Sequence, residues 1–292
     1  MATVSDWIEG ARLRTLPASV APVFAGTGIA FWMGQGSAVR GLLAATVALA
    51  FQVGVNFSND YSDGIRGTDD VRTGPPRLTG GGKAQPRTVK RAAFGCFGIG
   101  CLAGLVLVAL AGTWWLVIAG GLAVVAAWYY TGGKHPYGYA GLGEVFVFVF
   151  FGLLATAGTT YTQALDVTWH VWVTASAIGL IACALLMVNN IRDIPTDAIA
   201  GKNTLAVRLG ELAARIAYDA MITLPLVLAL TFIPDVGWWI LCLLPALGLT
   251  IHNLLRIHAG HATGMALIPV LRDTGFLELA YGLGLGIAFA MS

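Results

Sequence analysis

Apolar stretches of about 20 residues recur along the whole chain, separated by short polar connections. This is the length that an α-helix needs to cross the hydrocarbon core of a bilayer. We predict about nine such spans, at 16–34, 39–60, 90–111, 115–131, 142–163, 170–193, 213–233, 237–256 and 269–290. Because no Pro- or Ser-rich linker interrupts the series, we expect residues 1–292 to form one all-α membrane domain.

The composition supports a polytopic membrane protein. Hydrophobic residues make up 57% of the chain and charged residues 11%, whereas water-soluble domains carry about 25% charged residues. With nine spans, the connections rich in Lys and Arg fall on one side and most Trp residues on the other, which predicts a plasma-membrane protein with a cytoplasmic basic face. The N-terminus is then inside and the C-terminus outside. The net charge of +2 reflects this topology, and no nucleic-acid partner is expected.

A first acidic motif stands where the second span ends, in the run NFSNDYSD. Asn56, Asp60 and Asp63 are spaced i, i+4 and i+7, which places them on one helix face. Asp69 and Asp70 add two more oxygen donors just beyond the predicted helix. Carboxylates at the end of a membrane helix are costly and therefore indicate function. Their hard oxygen donors suit Mg²⁺, for which Mn²⁺ can substitute.

The sixth span ends in a second acidic motif, Asn189, Asp193 and Asp197, with spacing i, i+4 and i+8. The pattern Val-Asn-x3-Asp is common to both motifs, which indicates a weak internal repeat. The alternative is a pair of solvated capping or turn clusters at the lipid–water boundary.

Cations and aromatic residues accompany the two motifs. Lys202 and Arg208 follow the second motif and can neutralise phosphate oxygens beside a metal ion. Lys134 and Tyr139 lie in an aromatic-rich connection, where they can contact a flat ring or a carbocation, or form part of an interfacial aromatic girdle. The Gly- and Pro-rich connection at 64–86 predicts an irregular cytoplasmic cap that excludes water from the site.

Two acidic motifs at one membrane surface, with cations around them, suit a diphosphate bridged to Mg²⁺. Ionisation of an allylic diphosphate produces a carbocation, and an apolar bundle holds an isoprenoid tail and keeps water away from it. A cation-coupled transporter is the alternative of a different class. We expect a transporter to place its charges near the bilayer midplane, whereas these motifs lie at the ends of spans.

The runs NDYSDGIRGTDD, YTGGKHPYGYAGLGE and NNIRDIPTDAIAGKNTLAVRLG resemble the UbiA superfamily of intramembrane aromatic prenyltransferases, over essentially the full length. Within it, they look most like the 1,4-dihydroxy-2-naphthoate polyprenyltransferases of menaquinone synthesis. The resemblance implies about nine helices around a central cavity with a lateral opening to membrane lipid. It also implies that Mg²⁺ and diphosphate are bound by Asn56, Asp60, Asp63, Asp193 and Asp197.

The reaction implied by the resemblance joins the prenyl group of a polyprenyl diphosphate to 1,4-dihydroxy-2-naphthoate, with loss of diphosphate and CO₂, to give demethylmenaquinone. Substrate-binding residues are expected at Asn56, Arg66, Asn189 and at the cations and Tyr139 named above. The acceptor carboxylate needs a cationic partner, for which Arg66, Lys134 and Arg272 are candidates. A member of the superfamily with another acceptor, such as 4-hydroxybenzoate, is the alternative enzyme.

Overall fold

The computed structural model describes residues 2–67 and 77–292, and the regular elements in these ranges are helices. Numbered in chain order, they are α1 (Val4–Ala11), α2 (Leu16–Trp32), α3 (Ala38–Arg66), α4 (Pro86–Ala111), α5 (Leu116–Tyr129), α6 (Gly143–Ala164), α7 (Trp169–Ile199), α8 (Leu205–Leu209), α9 (Glu211–Ala229), α10 (Leu244–His258) and α11 (Leu267–Met291). A π-helical segment, Phe148–Leu154, interrupts α6. The predicted all-α class is confirmed.

Each predicted span has a helical counterpart, although the count of nine is approximate. In the described ranges, 6 helices are long and apolar enough to cross a membrane, and the bent pair α1 and α2 raises this number to 7. One of the six is the 48-residue stretch Glu211–His258, which as a straight helix would be about 72 Å long, more than twice the bilayer core. Gly237, at φ 55°, breaks this stretch, and α9 and α10 pack against each other. The stretch therefore supplies two of the predicted spans.

Both helices that carry the acidic motifs are longer than the apolar pattern predicted. The spans were expected to end at residues 60 and 193, but α3 continues to Arg66 and α7 to Ile199. Gly67 ends α3 in the left-handed conformation (φ 73°), where its N–H bonds the carbonyl oxygen of Asp63. The motifs therefore lie within regular helix, because loss of hydrophobicity ends the apolar run before the backbone hydrogen bonds end the helix.

Small residues let α2 and α11 approach closely. A Cβ atom added to Gly28 would overlap the backbone of Gly286, and one added to Gly282 would overlap the backbone of Ala21. In lipid, where the hydrophobic effect does not drive helices together, such close backbone contact supplies the packing energy. This contact holds the first and last long helices of the chain side by side.

A cap, formed by α1 and residues 77–85, covers the end of α3 that carries the first acidic motif. Trp7 of α1 packs edge-on against Phe57, with 5.5 Å between ring centroids. Lys83 Nζ lies 2.5 Å from Asp6 Oδ1, and this hydrogen bond holds the pKa of Asp6 well below its usual range. The Trp7–Phe57 contact therefore binds the cap to α3, and the Lys83–Asp6 hydrogen bond joins the two parts of the cap to each other.

Candidate active site

One cavity of about 510 Å³ extends through the bundle from the cap towards the opposite end. Its wall on α3 runs from Ala44 to Asp63, which is about 28 Å of helix at about 1.5 Å per residue. That length is close to the roughly 30 Å thickness of a bilayer core. The end beneath the cap is charged, and the rest is lined mainly by apolar side chains, among them Val47, Leu107 and Phe150.

Asp60 of the first acidic motif links the cavity wall to the cap. It is 1% exposed, and its two carboxylate oxygens accept hydrogen bonds from the backbone N–H groups of Leu78 and Thr79, each at 2.8 Å. Because a buried carboxylate needs such donors, the side chain and the cap segment stabilise each other. Asp60 thus fixes where the cap closes over the cavity.

Asp63 lies one helical turn further along α3 and gathers three other side chains. The hydroxyl of Tyr139 donates a 2.6 Å hydrogen bond to Oδ1. Lys202 Nζ is 3.6 Å from Oδ2 and Arg77 Nη2 is 3.9 Å from it. The carboxylate therefore has cations from the cap and from the connection after α7 beside it.

Asn56 completes the first motif at a bend in the chain. Its amide nitrogen donates to the carbonyl oxygen of Ala11 at 2.9 Å and to Thr15 Oγ1 at 3.3 Å. These acceptors lie at the junction of α1 and α2, where Arg12 adopts a left-handed conformation (φ 54°). Asn56 lines the cavity and ties this bend to α3.

The second acidic motif faces the same cavity from α7. Arg192 binds Asp193 through two hydrogen bonds, Nε to Oδ1 at 2.7 Å and Nη2 to Oδ2 at 2.5 Å, and also donates to Asn189 Oδ1 at 2.9 Å. The backbone N–H of Lys202 donates to the carbonyl oxygen of Asp197 at 2.8 Å. Asn189, Asp193 and Asp197 all line the cavity, so the structure brings both predicted motifs to one end of it.

Two predicted substrate-binding arginines instead support the connection between α5 and α6. Arg66 donates to the backbone carbonyl oxygens of Thr131 and Gly133. Arg208 donates to the carbonyl oxygen of Ala140 at 2.8 Å. Neither arginine lines the cavity. Their guanidinium groups are engaged by backbone acceptors, which the charge pattern of the sequence does not reveal.

Lys134 and Arg272, considered as partners for the acceptor carboxylate, also lie outside the cavity lining. Lys134 is exposed, and Arg272 pairs with Asp273 at 2.8 Å. The predicted residues Tyr139 and Lys202 do line the cavity, with Lys202 Nζ 4.6 Å from the centre of the Tyr139 ring. Asp69 and Asp70 lie outside the described residues.

Five charged residues of the cavity wall were not predicted, and Arg12, Arg77 and Glu278 are three of them; the others are Glu9 and Arg192. The arginines looked like topological anchors, because a basic residue near a membrane surface has that role by default. For Glu278, the sequence did contain a signal, because an acidic residue in the middle of an apolar span indicates function. The positions of Arg12 and Arg77 depend on the bend at Arg12 and on the cap, neither of which follows from local sequence.

The carboxylate oxygens of the two acidic motifs suit a metal ion that binds together with a diphosphate. Within residues 2–67 and 77–292, no three His, Cys, Asp or Glu side chains are grouped closely enough to hold an ion alone. Mg²⁺ is commonly held by one or two carboxylates together with substrate phosphates and water. The hard oxygens of Asp60, Asp63, Asp193 and Asp197, on two walls of one cavity beside cations, suit that arrangement.

The sequence profile described as the UbiA prenyltransferase family matches residues 19–264. The chain belongs to the UbiA prenyltransferase family. It is 48% identical to the "1,4-dihydroxy-2-naphthoate octaprenyltransferase" of Mycobacterium tuberculosis, over 99% of this chain and 98% of that protein. It is 43% identical to the protein of the same description from Escherichia coli, over 72% of this chain and 70% of that protein.

Solved structures of other UbiA homologues share the fold. A homologue from Aeropyrum pernix aligns with a TM-score of 0.66 at 17% identity, over 94% of this chain and 97% of that one. A homologue from Archaeoglobus fulgidus, bound to GPP and Mg²⁺, aligns with a TM-score of 0.67 at 14% identity, over 97% of this chain and 100% of that one. At these identities the alignments establish the helical architecture of this UbiA protein.

Proposed function

We propose that residues 1–292 act as a single domain that transfers a polyprenyl group from polyprenyl diphosphate to 1,4-dihydroxy-2-naphthoate, with loss of diphosphate and CO₂. The observation that carries the proposal is a cavity whose charged end continues into an apolar channel about as long as a bilayer core is thick. Such a cavity suits a donor with a charged head and a long isoprenoid tail. The descriptions of full-length relatives support the naphthoate acceptor.

We assign the charged end to the diphosphate. Asp60, Asp63, Asp193 and Asp197 would hold Mg²⁺, and Lys202 would contact phosphate oxygens directly. Mg²⁺, or Mn²⁺ in its place, supplies charge that stabilises the departing diphosphate. Magnesium and a short prenyl diphosphate occur together in the Archaeoglobus fulgidus homologue, which supports this assignment.

The proposed prenyl transfer needs no oxidant, because every electron pair in it is accounted for. The allylic C–O bond breaks and its electron pair leaves with the diphosphate. The ring carbon that bears the carboxylate forms the new C–C bond to the allylic carbon. The C–COO⁻ bond then breaks, CO₂ leaves, and the electron pair returns to the ring. The product is the reduced, quinol form of demethylmenaquinone.

Aromatic side chains in the cavity wall suit the charge that develops on the prenyl group. Tyr130 and Tyr137 both line the cavity, with 5.5 Å between ring centroids, and Phe146 stacks on Tyr137 at 3.9 Å. Ring faces attract cations, so these side chains can stabilise the positive charge as it develops. The cap and the apolar walls exclude the water that would otherwise react with it.

We place the site in the plasma membrane, with its charged end towards the cytoplasm. The excess of Lys and Arg on that side of the bundle supports this orientation. The soluble naphthoate would enter from the cytoplasm, and the donor and product would exchange with membrane lipid.

Purified protein with labelled polyprenyl diphosphate and a panel of aromatic acids tests the proposal. We expect prenylation of 1,4-dihydroxy-2-naphthoate with one CO₂ released per prenyl group transferred, and loss of activity in EDTA. 4-Hydroxybenzoate retains its carboxylate in the alternative reaction, so CO₂ release separates the two acceptors. Turnover of hydroxybenzoate alone would contradict the proposed acceptor. Since detergent solution has no ion gradient, activity there also excludes obligatory cation coupling.

A further inference from the structure

Glu278 is a buried acid for which the diphosphate site has no use. It lies on α11 in the cavity wall and is 0% exposed. Within the described residues, neither of its carboxyl oxygens has a hydrogen-bond partner. Burial of an unsatisfied carboxyl group is costly, and native structures rarely retain one without a ligand, water or functional reason.

Glu278 lies deeper in the bundle than the charged end of the cavity. Leu271, on the same helix, also lines the cavity, and Glu278 follows it by seven residues, which is about 10 Å along the helix axis. Glu278 is therefore about two helical turns further along α11 than Leu271, in the middle of that helix.

A second polar group reaches the same part of the cavity from α7. Asn190 lines the cavity, and its amide nitrogen donates a 3.2 Å hydrogen bond to Oε1 of the buried Glu144. Cys183, seven residues before Asn190 on α7, donates its thiol to the carbonyl oxygen of Glu144 at 3.1 Å. Helices α7 and α11 pack against each other, and both Asn190 and Glu278 line the cavity that these helices help to form.

We propose that Glu278 binds a hydroxyl group of the aromatic acceptor, in a polar niche that it forms with Asn190. This inference rests on the proposed function, because it names the residue that recognises the acceptor of that reaction. A carboxyl group accepts a hydrogen bond from a phenolic O–H, which satisfies one of the two buried oxygens and increases the electron density of the ring. Glu278 is thus a specificity-determining contact for a hydroxylated ring, held between the leaving diphosphate and the prenyl channel.

The test compares acceptors that differ by one hydroxyl group, in binding experiments without donor. Wild-type protein in nanodiscs is titrated with 1,4-dihydroxy-2-naphthoate, and with 1-hydroxy-2-naphthoate and 4-hydroxy-2-naphthoate. We expect one of the monohydroxy compounds to bind about 10- to 100-fold more weakly, since its binding leaves Glu278 without a partner. In Glu278→Leu this difference should disappear, while Glu278→Gln, which keeps an acceptor oxygen, should retain part of it.

Glu211→Gln is the matched control, because Glu211 is 57% exposed and pairs with Arg215 away from the cavity. It should discriminate between the acceptors as the wild type does. The KM for polyprenyl diphosphate should not change in Glu278→Leu. Thermal unfolding of each variant shows that it is folded, and Glu278→Gln keeps the test valid if the leucine variant does not fold.

Two outcomes separate the inference from the proposed function. If the wild type prenylates 1,4-dihydroxy-2-naphthoate but both Glu278 variants discriminate between the acceptors as it does, then Glu278 binds only a buried water and the inference is wrong. If the wild type neither binds nor prenylates any of the naphthoates, the proposed function itself fails. Loss of discrimination in Glu278→Leu, with unchanged donor KM, supports both.

Discussion

Lys202 Nζ lies 3.6 Å from Asp63 Oδ2, so a residue that follows the second acidic motif is paired with a carboxylate of the first. The same ammonium group stands over the ring of Tyr139, whose hydroxyl donates to Asp63. These contacts limit the freedom of a side chain that otherwise has many rotamers. Lys202 is therefore already positioned between the two motifs, where the proposed diphosphate would bind.

Lys202→Ala should weaken diphosphate binding, because it removes a charge-assisted contact worth about 1.5–3 kcal/mol. We expect the KM for polyprenyl diphosphate to rise about 10- to 100-fold, with a much smaller change in the KM for the acceptor. Steady-state kinetics with each substrate varied separately provides the measurement. Lys134→Ala is the matched control, since Lys134 is exposed and outside the cavity lining. Equal effects of the two substitutions would mean that Lys202 acts only through overall charge.

The two acidic motifs are expected to act as one unit. Asp60→Asn and Asp193→Asn each remove one anionic oxygen ligand at nearly constant shape, and each should abolish turnover. The double variant should be hardly worse than either single variant, because groups that serve one function are not additive. Single-turnover kinetics measures the residual rates, with Asp166→Asn as a control at an exposed position outside the cavity lining. A fully active Asp193→Asn enzyme would remove the second motif from the proposed site.

Asp60→Asn should also loosen the cap, which Asp193→Asn should not. Both oxygens of Asp60 accept backbone N–H groups at 2.8 Å, and the amide of an asparagine would present a donor to one of them. The unsatisfied donor costs about 1–3 kcal/mol, so we expect the cap to open about 5- to 150-fold more often. Trypsin cleavage after Lys83 is the measurement, compared at equal protein stability. Identical cleavage rates in wild type and Asp60→Asn would show that the cap has other sufficient anchors.

Helix spacing was enough to place the acidic motifs correctly, because three side chains on one helix face depend only on local geometry. The hydrogen-bond partners of these motifs could not be predicted from the sequence in the same way. The N–H groups that bind Asp60 come from Leu78 and Thr79, which belong to the Gly- and Pro-rich connection at 64–86, and the sequence does not specify the path of this connection. Arg66 was assigned to substrate from its charge and its place beside the motif, but backbone carbonyl oxygens of another connection bind it.

Gly28→Ala should destabilise the bundle, because the added methyl group would meet the backbone of Gly286 on α11. Overpacking of this kind costs about 1–3 kcal/mol, and backbone atoms cannot move aside as a flexible side chain can. Thermal unfolding in detergent, followed by intrinsic tryptophan fluorescence, should show a lower midpoint. Gly98→Ala is the control, since a Cβ atom there meets nothing within 4 Å and alanine favours the helix. An unchanged midpoint for Gly28→Ala would mean that α2 and α11 are less closely packed than described.

Ala44→Phe should shorten the prenyl chain that the enzyme accepts. Ala44 lines the cavity near the start of α3, at the end remote from the acidic motifs, so a phenyl ring there would fill space that only a long tail reaches. Each buried methylene group is worth about 0.8 kcal/mol, and exclusion of two therefore weakens binding by about tenfold or more. We expect the KM to rise at least that much for octaprenyl diphosphate and to stay unchanged for geranyl diphosphate. Leu42→Phe, at a position that is 69% exposed on the same helix, should affect neither donor. A parallel loss with both donors would place the tail elsewhere, and the cavity length would then not determine chain length.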